Sequence, residues 1–203
     1  MSLLDLRARE LLARFASSDP TPGGGSAAAL SGATAAALVA MVCSMPKTRS
    51  GAPEERARLD VGLRWAREAG ERLSQLVDDD ARAYDAVVAA YRLPKANDDE
   101  KAARKTAIGE AMKHATEVPL DTAEACLVVL KAAQEAAEHG NPNASSDART
   151  GAALAFAGLL GAAFNVRINA SGLADAGDAA LERVEALLLH ARQHARAIGL
   201  PLD

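Results

Sequence analysis

The chain has 203 residues, enough to bury a sizeable core, and is most economically read as one domain spanning residues 1–203. Hydrophobic residues make up 49% but aromatics only 3%, so the apolar content is mostly Ala, Leu and Val, which suits closely approaching helices better than a β-sandwich. With a net charge of −4 and Lys and Arg scattered along the chain, no basic surface forms of the kind phosphate backbones require, and no nucleic-acid partner is expected.

Leu4, Leu11, Leu12 and Phe15 predict a short amphipathic opening helix, charged and unlike a signal peptide. The breaker run Ser17 to Gly25 stops it. Ser26 then sits where an N-cap belongs, before an Ala-rich helix reaching about Met45. That helix is built from Ala, Gly, Ser and Thr and is short for a bilayer, so it reads as a buried helix and no membrane partner is expected. From Glu54 to Tyr91 an apolar stripe in steps of three and four predicts a helix of many turns, closed at Leu93-Pro94. A helix over 98–118 follows, then another with Pro119 in its first turn, where a missing N–H is tolerated, stopping at Gly140. A second small-residue helix runs over 148–170, and a last one carries Leu181, Val184, Leu188, Ala191 and Ala195. No segment alternates with period two, so an all-α bundle of about seven helices is expected. Cys43 and Cys126 lie far apart in apolar segments and read as buried free thiols of a cytoplasmic protein.

Three places could carry chemistry. Pro22-Gly23-Gly24-Gly25-Ser26 opens a helix, where glycines admit close backbone approach and free N–H groups attract anions; the alternative is a plain turn with a Ser cap. Asp78-Asp79-Asp80 lies on the long striped helix. Asp79 points away from the apolar face, Asp80 sits on its edge, and Asp78 flanks the opposite edge about 200° away. Desolvation would raise the pKa of a carboxylate at that edge toward a range useful for proton transfer; the alternative is a solvated acidic turn. No His or Cys lies nearby at ligand spacing, and no metal is expected. The third place is the loop with Asn141 and Asp147 together with Asn165 and Asn169, which share a helix face and need polar partners, either within the fold or on a heterocycle. His114, His139, His190 and His194 fall in polar helical stretches and read as surface residues.

Six motifs occur in one order: Pro22-Gly23-Gly24-Gly25-Ser26, Val77-Asp78-x-Asp80-Ala81-x-Ala83-Tyr84, Arg92-Leu93-Pro94-Lys95, Val118-Pro119-Leu120, Gly140-Asn141 with Ser146-Asp147, and Asn165-Val166-x-Ile168-Asn169. Together they resemble the cyclodeaminase domain of formiminotransferase-cyclodeaminase and its single-domain bacterial relatives, some of them methenyltetrahydrofolate cyclohydrolases. The transferase half has no counterpart here. Met45 to Arg49 departs from the Thr-x-Gly-Arg-like turn of the bifunctional domains, and no ligand residue is placed there. The resemblance implies an all-helical homodimer acting on a tetrahydrofolate derivative without a further cofactor. It implies Asp80, or else Asp78, as the catalytic carboxylate. Substrate-binding residues are then Pro22, Gly23, Gly24, Gly25, Ser26, Arg92, Lys95, Asn141, Asp147, Asn165 and Asn169. The expected reaction is closure of 5-formiminotetrahydrofolate to 5,10-methenyltetrahydrofolate with loss of ammonia. Hydrolysis of the methenyl compound to 10-formyltetrahydrofolate is the alternative, and an inactive helical interaction module the alternative of another class.

Overall fold

The structure, a computed structural model, describes residues 2–202. Six α-helices occur among them: α1 (Ala8–Phe15), α2 (Gly24–Ser44), α3 (Pro53–Tyr91), α4 (Asp98–His139), α5 (Ser145–Ala170) and α6 (Ala174–Ala197). The chain is all-helical as expected, with one isolated antiparallel bridge between Thr48 and Gly140. The opening helix is split, a 3₁₀ turn at Leu3–Asp5 preceding α1.

The count falls one short of the expectation because the helices expected to part at Pro119 are one helix. Proline removes one backbone donor from a helix, and a continuous helix tolerates that when the freed carbonyl finds another partner. Here it does: Asn169 Nδ2 donates to the Ala115 oxygen at 2.6 Å.

α2 neighbours α3 and α5, and α4 neighbours the same two, so the four long helices close into a ring around a shared core of Leu59, Leu73, Leu76, Val39, Leu130 and Leu159. α6 lies outside, against α4 and α5. Small residues let these axes approach. At Gly158 on α5 an added Cβ would lie 2.8 Å from the Ala28 carbonyl oxygen of α2, too close for any side chain. Cys43 and Cys126 are free and buried in this packing, which pushes both thiols up to about 12.

Local sequence explains the helix ends. Pro53 takes the first position of α3, and the Asn97 side chain caps α4 by accepting the Glu100 N–H at 2.8 Å. Gly140 closes α4 with φ −72°, so glycine is needed for room and not for handedness: a Cβ would sit 2.3 Å from the Ala136 oxygen. At α2 the cap differs from the expectation. Gly23 is the N-cap, and Ser26 lies two residues inside the helix, fully buried. α2 starts and α5 ends at the same end of the ring, while α3 and α4 run on past it. From Asp80 to Tyr91 that overhang is about 16 Å.

Candidate active site

A cavity of about 280 Å³ opens at this end of the ring. Gly23, Gly24 and Gly25 form one wall, Asp80, Ala83, Tyr84 and Val87 of α3 a second, Met112 and Ala115 of α4 a third, and Asn165 and Asn169 of α5 the last.

Among the described residues, Asp80 is the only ionisable group on that lining besides the Tyr84 phenol. Its Oδ2 accepts two hydrogen bonds from Ser26, one from the backbone N–H at 2.8 Å and one from the hydroxyl at 3.0 Å. Ser26 supplies an N–H that a helix start leaves unpaired, so the carboxylate stands against the positive end of α2. Burial nevertheless dominates and raises the Asp80 pKa above the ordinary carboxylate range, with the two Ser26 bonds pulling it back down. Gly25 makes this clamp possible: a Cβ there would lie 1.9 Å from Asp80 Oδ1. The N–H groups of Gly24 and Gly25 have no acceptor among the described residues and remain available to a ligand beside the carboxylate.

The two α5 amides are held by backbone. Asn165 Nδ2 donates to the Gly161 oxygen at 2.9 Å, and Asn169 Nδ2 to the Ala115 oxygen at 2.6 Å. The glycine run, Asp80, Asn165 and Asn169, dispersed in sequence, therefore meet in one cavity.

The other expected site residues lie elsewhere. Asp78 faces away from the cavity and accepts the Leu3 N–H at 2.8 Å, tying the N-terminal turn to α3. Pro22 is buried and lines a separate open hollow with Asp78 and Arg82. Ser26 does not line the cavity, because its hydroxyl is spent on Asp80. Arg92 caps the end of α3, and Lys95 sits in the exposed connection beside Lys101, Arg104 and Lys105. Asn141 accepts the Asn143 N–H at 3.0 Å at the opposite end of the ring. Asp147 is in the first turn of α5, eighteen residues from Asn165 and so about 27 Å along that helix. Asp79 is on the outer face, paired with Arg72 at 3.5 Å and with Arg82. Tyr84, expected in the core stripe, is 43% exposed and lines the cavity instead. Met112 and Ala115 were not singled out by the sequence; only their three-residue spacing, about two turns and one turn before Pro119, hints at a shared face.

A desolvated carboxylate clamped at a helix start, facing two fixed amides in a cavity of small-molecule size, is the kind of site a helical-bundle enzyme would use to bind a small polar ligand beside a group able to move protons. Comparison with known proteins narrows this. The chain belongs to the formiminotransferase-cyclodeaminase family, whose model matches residues 7–186. It is 47% identical over 179 residues to the methenyltetrahydrofolate cyclohydrolase of Methylorubrum extorquens, covering 87% of this chain and 86% of that protein. It is 34% identical to the formimidoyltransferase-cyclodeaminase of Rattus norvegicus, spanning 97% of this chain and 37% of that longer protein. The crystal structure of formiminotetrahydrofolate cyclodeaminase from Thermotoga maritima superposes with a TM-score of 0.85 at 26% identity, covering 97% and 96% of the two chains.

Proposed function

We propose that this protein is an enzyme of tetrahydrofolate one-carbon chemistry that works at the carbon bridging N5 and N10, hydrolysing 5,10-methenyltetrahydrofolate to 10-formyltetrahydrofolate. The observation that carries the reading is the Asp80 carboxylate, desolvated yet held open to the cavity by Ser26. Water adds to the cationic methenyl carbon while Asp80 takes one of its protons. The adduct then breaks its C–N5 bond, N5 receives that proton from Asp80, and the remaining hydroxyl proton leaves to solvent as the formyl carbonyl forms. The net products are 10-formyltetrahydrofolate and one proton. A carboxyl with a raised pKa suits both halves of this shuttle near neutrality. The free N–H groups of Gly24 and Gly25 would favour the adduct oxygen as it gains negative charge. Folate brings its own reactive atoms, so this chemistry asks the chain for position and proton transfer and for no metal or redox cofactor.

The same geometry serves ring closure of 5-formiminotetrahydrofolate, in which N10 attacks the formimino carbon and Asp80 protonates departing ammonia. The fold shared with the Thermotoga cyclodeaminase favours that second reading. Hydrolysis stands first because the 47% match runs nearly the full length of both chains. Purified protein given each folate separately distinguishes them: consumption of the methenyl absorbance supports hydrolysis, whereas its growth with ammonia release supports cyclodeamination. Turnover of neither overturns both.

We further propose a cytoplasmic homodimer. Buried free thiols fit a reducing compartment. α2 and the Pro142–Ala170 segment are long and apolar enough to cross a membrane, and only about half of each is covered, 50% and 44% of the most apolar windows. Their outward faces carry Ala37 and Met41 on α2 and Ala157 and Phe164 on α5, all exposed. A second copy would cover these uncharged faces. Light scattering should return twice the 21.0 kDa chain mass, and a monomer at micromolar concentration would contradict it.

A further inference from the structure

Pro119 sits deep inside α4, where proline is the least favourable residue a helix can hold. It is buried, and its ring brings no N–H to the Ala115 carbonyl one turn earlier. That oxygen is instead taken by Asn169 Nδ2 of α5 at 2.6 Å. Ala115 and Asn169 both line the cavity, so this contact is part of its wall. A carbonyl can only accept, which settles the orientation of the amide: its NH2 faces α4 and its Oδ1 is left over. Asn165, one turn earlier, spends its Nδ2 within its own helix, on the Gly161 oxygen at 2.9 Å. Among the described residues no protein donor reaches the Oδ1 atom of either asparagine. Each amide thus has one N–H spent on a backbone carbonyl, a second N–H still to place, and an Oδ1 with no protein donor among the described residues.

We propose that Pro119 is a positioning residue for the substrate: it leaves the Ala115 carbonyl to Asn169, which fixes that amide so that its Oδ1 accepts from a ligand edge carrying an N–H donor. The inference rests on the folate reading, since a tetrahydropterin carries such an edge. It concerns recognition, not proton transfer, and Pro119 touches no reacting atom.

Pro119→Ala tests it. Alanine restores an N–H aimed at the Ala115 oxygen, which then competes with Asn169 for it, while the helix itself gains a hydrogen bond. The expected result is an unchanged or higher Tm, kcat close to wild type, and a folate KM raised about 3- to 10-fold, the range for one weakened hydrogen bond. In an Asn169→Ala background the same substitution should leave KM where Asn169→Ala alone puts it, because the effect passes through that amide. Asn169→Asp, which has no donor for the Ala115 oxygen, should raise KM at least as far as Asn169→Ala. A wild-type KM in Pro119→Ala overturns the proposal, as do KM increases that multiply in the double variant or an Asn169→Asp protein that saturates like wild type. Absence of turnover in the wild-type protein would instead refute the proposed function, so the two failures are separable.

Discussion

Gly25→Ala is the sharpest perturbation of the site, because a single methyl group lands on the one group argued to move protons. The added Cβ would lie 1.9 Å from Asp80 Oδ1, 2.5 Å from Cγ and 2.8 Å from Oδ2. An ordinary close contact begins near 3.4 Å, so the carboxylate must retreat by about 1.5 Å, the difference between 3.4 and 1.9. That displacement breaks the bonds of 2.8 and 3.0 Å to Ser26. Each hydrogen bond to a charged group is worth about 1.5–3 kcal/mol, although rehydration of the freed carboxylate in the open cavity and the roughly 1 kcal/mol helix preference of Ala over Gly offset part of the loss. Stability should fall by about 2 kcal/mol, and kcat/KM by about 100-fold, the usual consequence of misplacing a reacting group by an ångström or more. Gly109→Ala is the internal control, since Gly109 lies on α4 away from the cavity lining and a Cβ there meets nothing within 4 Å. Its activity and melting should stay within about twofold and about 1 kcal/mol of wild type. Steady-state folate kinetics with thermal melts on both variants decide the matter. A Gly25→Ala enzyme with wild-type kcat/KM would refute the placement of Asp80 at the reaction centre.

Asp80→Asn should keep the helical circular dichroism and lower kcat by about two to four orders of magnitude, whereas Asp79→Asn, which changes only an outer pair with Arg72 and Arg82, should be nearly silent. A carboxyl whose folded-state pKa is raised favours folding at acid pH and loses that contribution as pH rises through the folded value; melts across pH should therefore show wild-type stability falling toward neutrality relative to Asp80→Asn. Ser26→Ala removes a hydroxyl donor that holds the Asp80 pKa down, so the acidic limb of the kcat/KM profile should move to higher pH, and an unmoved limb would separate Asp80 from the titration that governs turnover.

Most helices were legible because burial writes itself into periodicity. The step-of-three-and-four stripe from Leu59 to Tyr91 marked α3 almost to its ends, and the same wheel placed Asp80 at the core margin and Asp79 outside. A wheel records the face of one helix, however, and not which neighbour arrives at that height. Asp147 and Asn165 belong to one helix and to motifs of one family, yet lie at opposite ends of it. The Ser26 hydroxyl looked like a cap because capping and clamping a distant carboxylate use the same residue at the same kind of helix start. Only the arrival of Asp80 from α3, 54 positions away, separates the two roles.

Pro119 shows the same limit from the other side, and here the chain did carry a usable signal. Proline in the first turn of a helix is ordinarily preceded by Ser, Thr, Asp or Asn, which accept the free N–H groups there. Val118 can accept none, and no glycine or turn residue stands among Met112 to Val118 to end a preceding helix. The residues before Pro119 thus already opposed a break, leaving an uninterrupted helix with one unpaired carbonyl to satisfy. Buried carbonyls need donors, and a donor with no other duty must come from a neighbouring helix. The cavity face of α5 has an amide at Asn169 in reach of Ala115, and it makes that contact. A proline that reads as a boundary is therefore the feature that joins α4 to α5 at the cavity, and the break in the backbone ladder and the polar lining of the site are one arrangement.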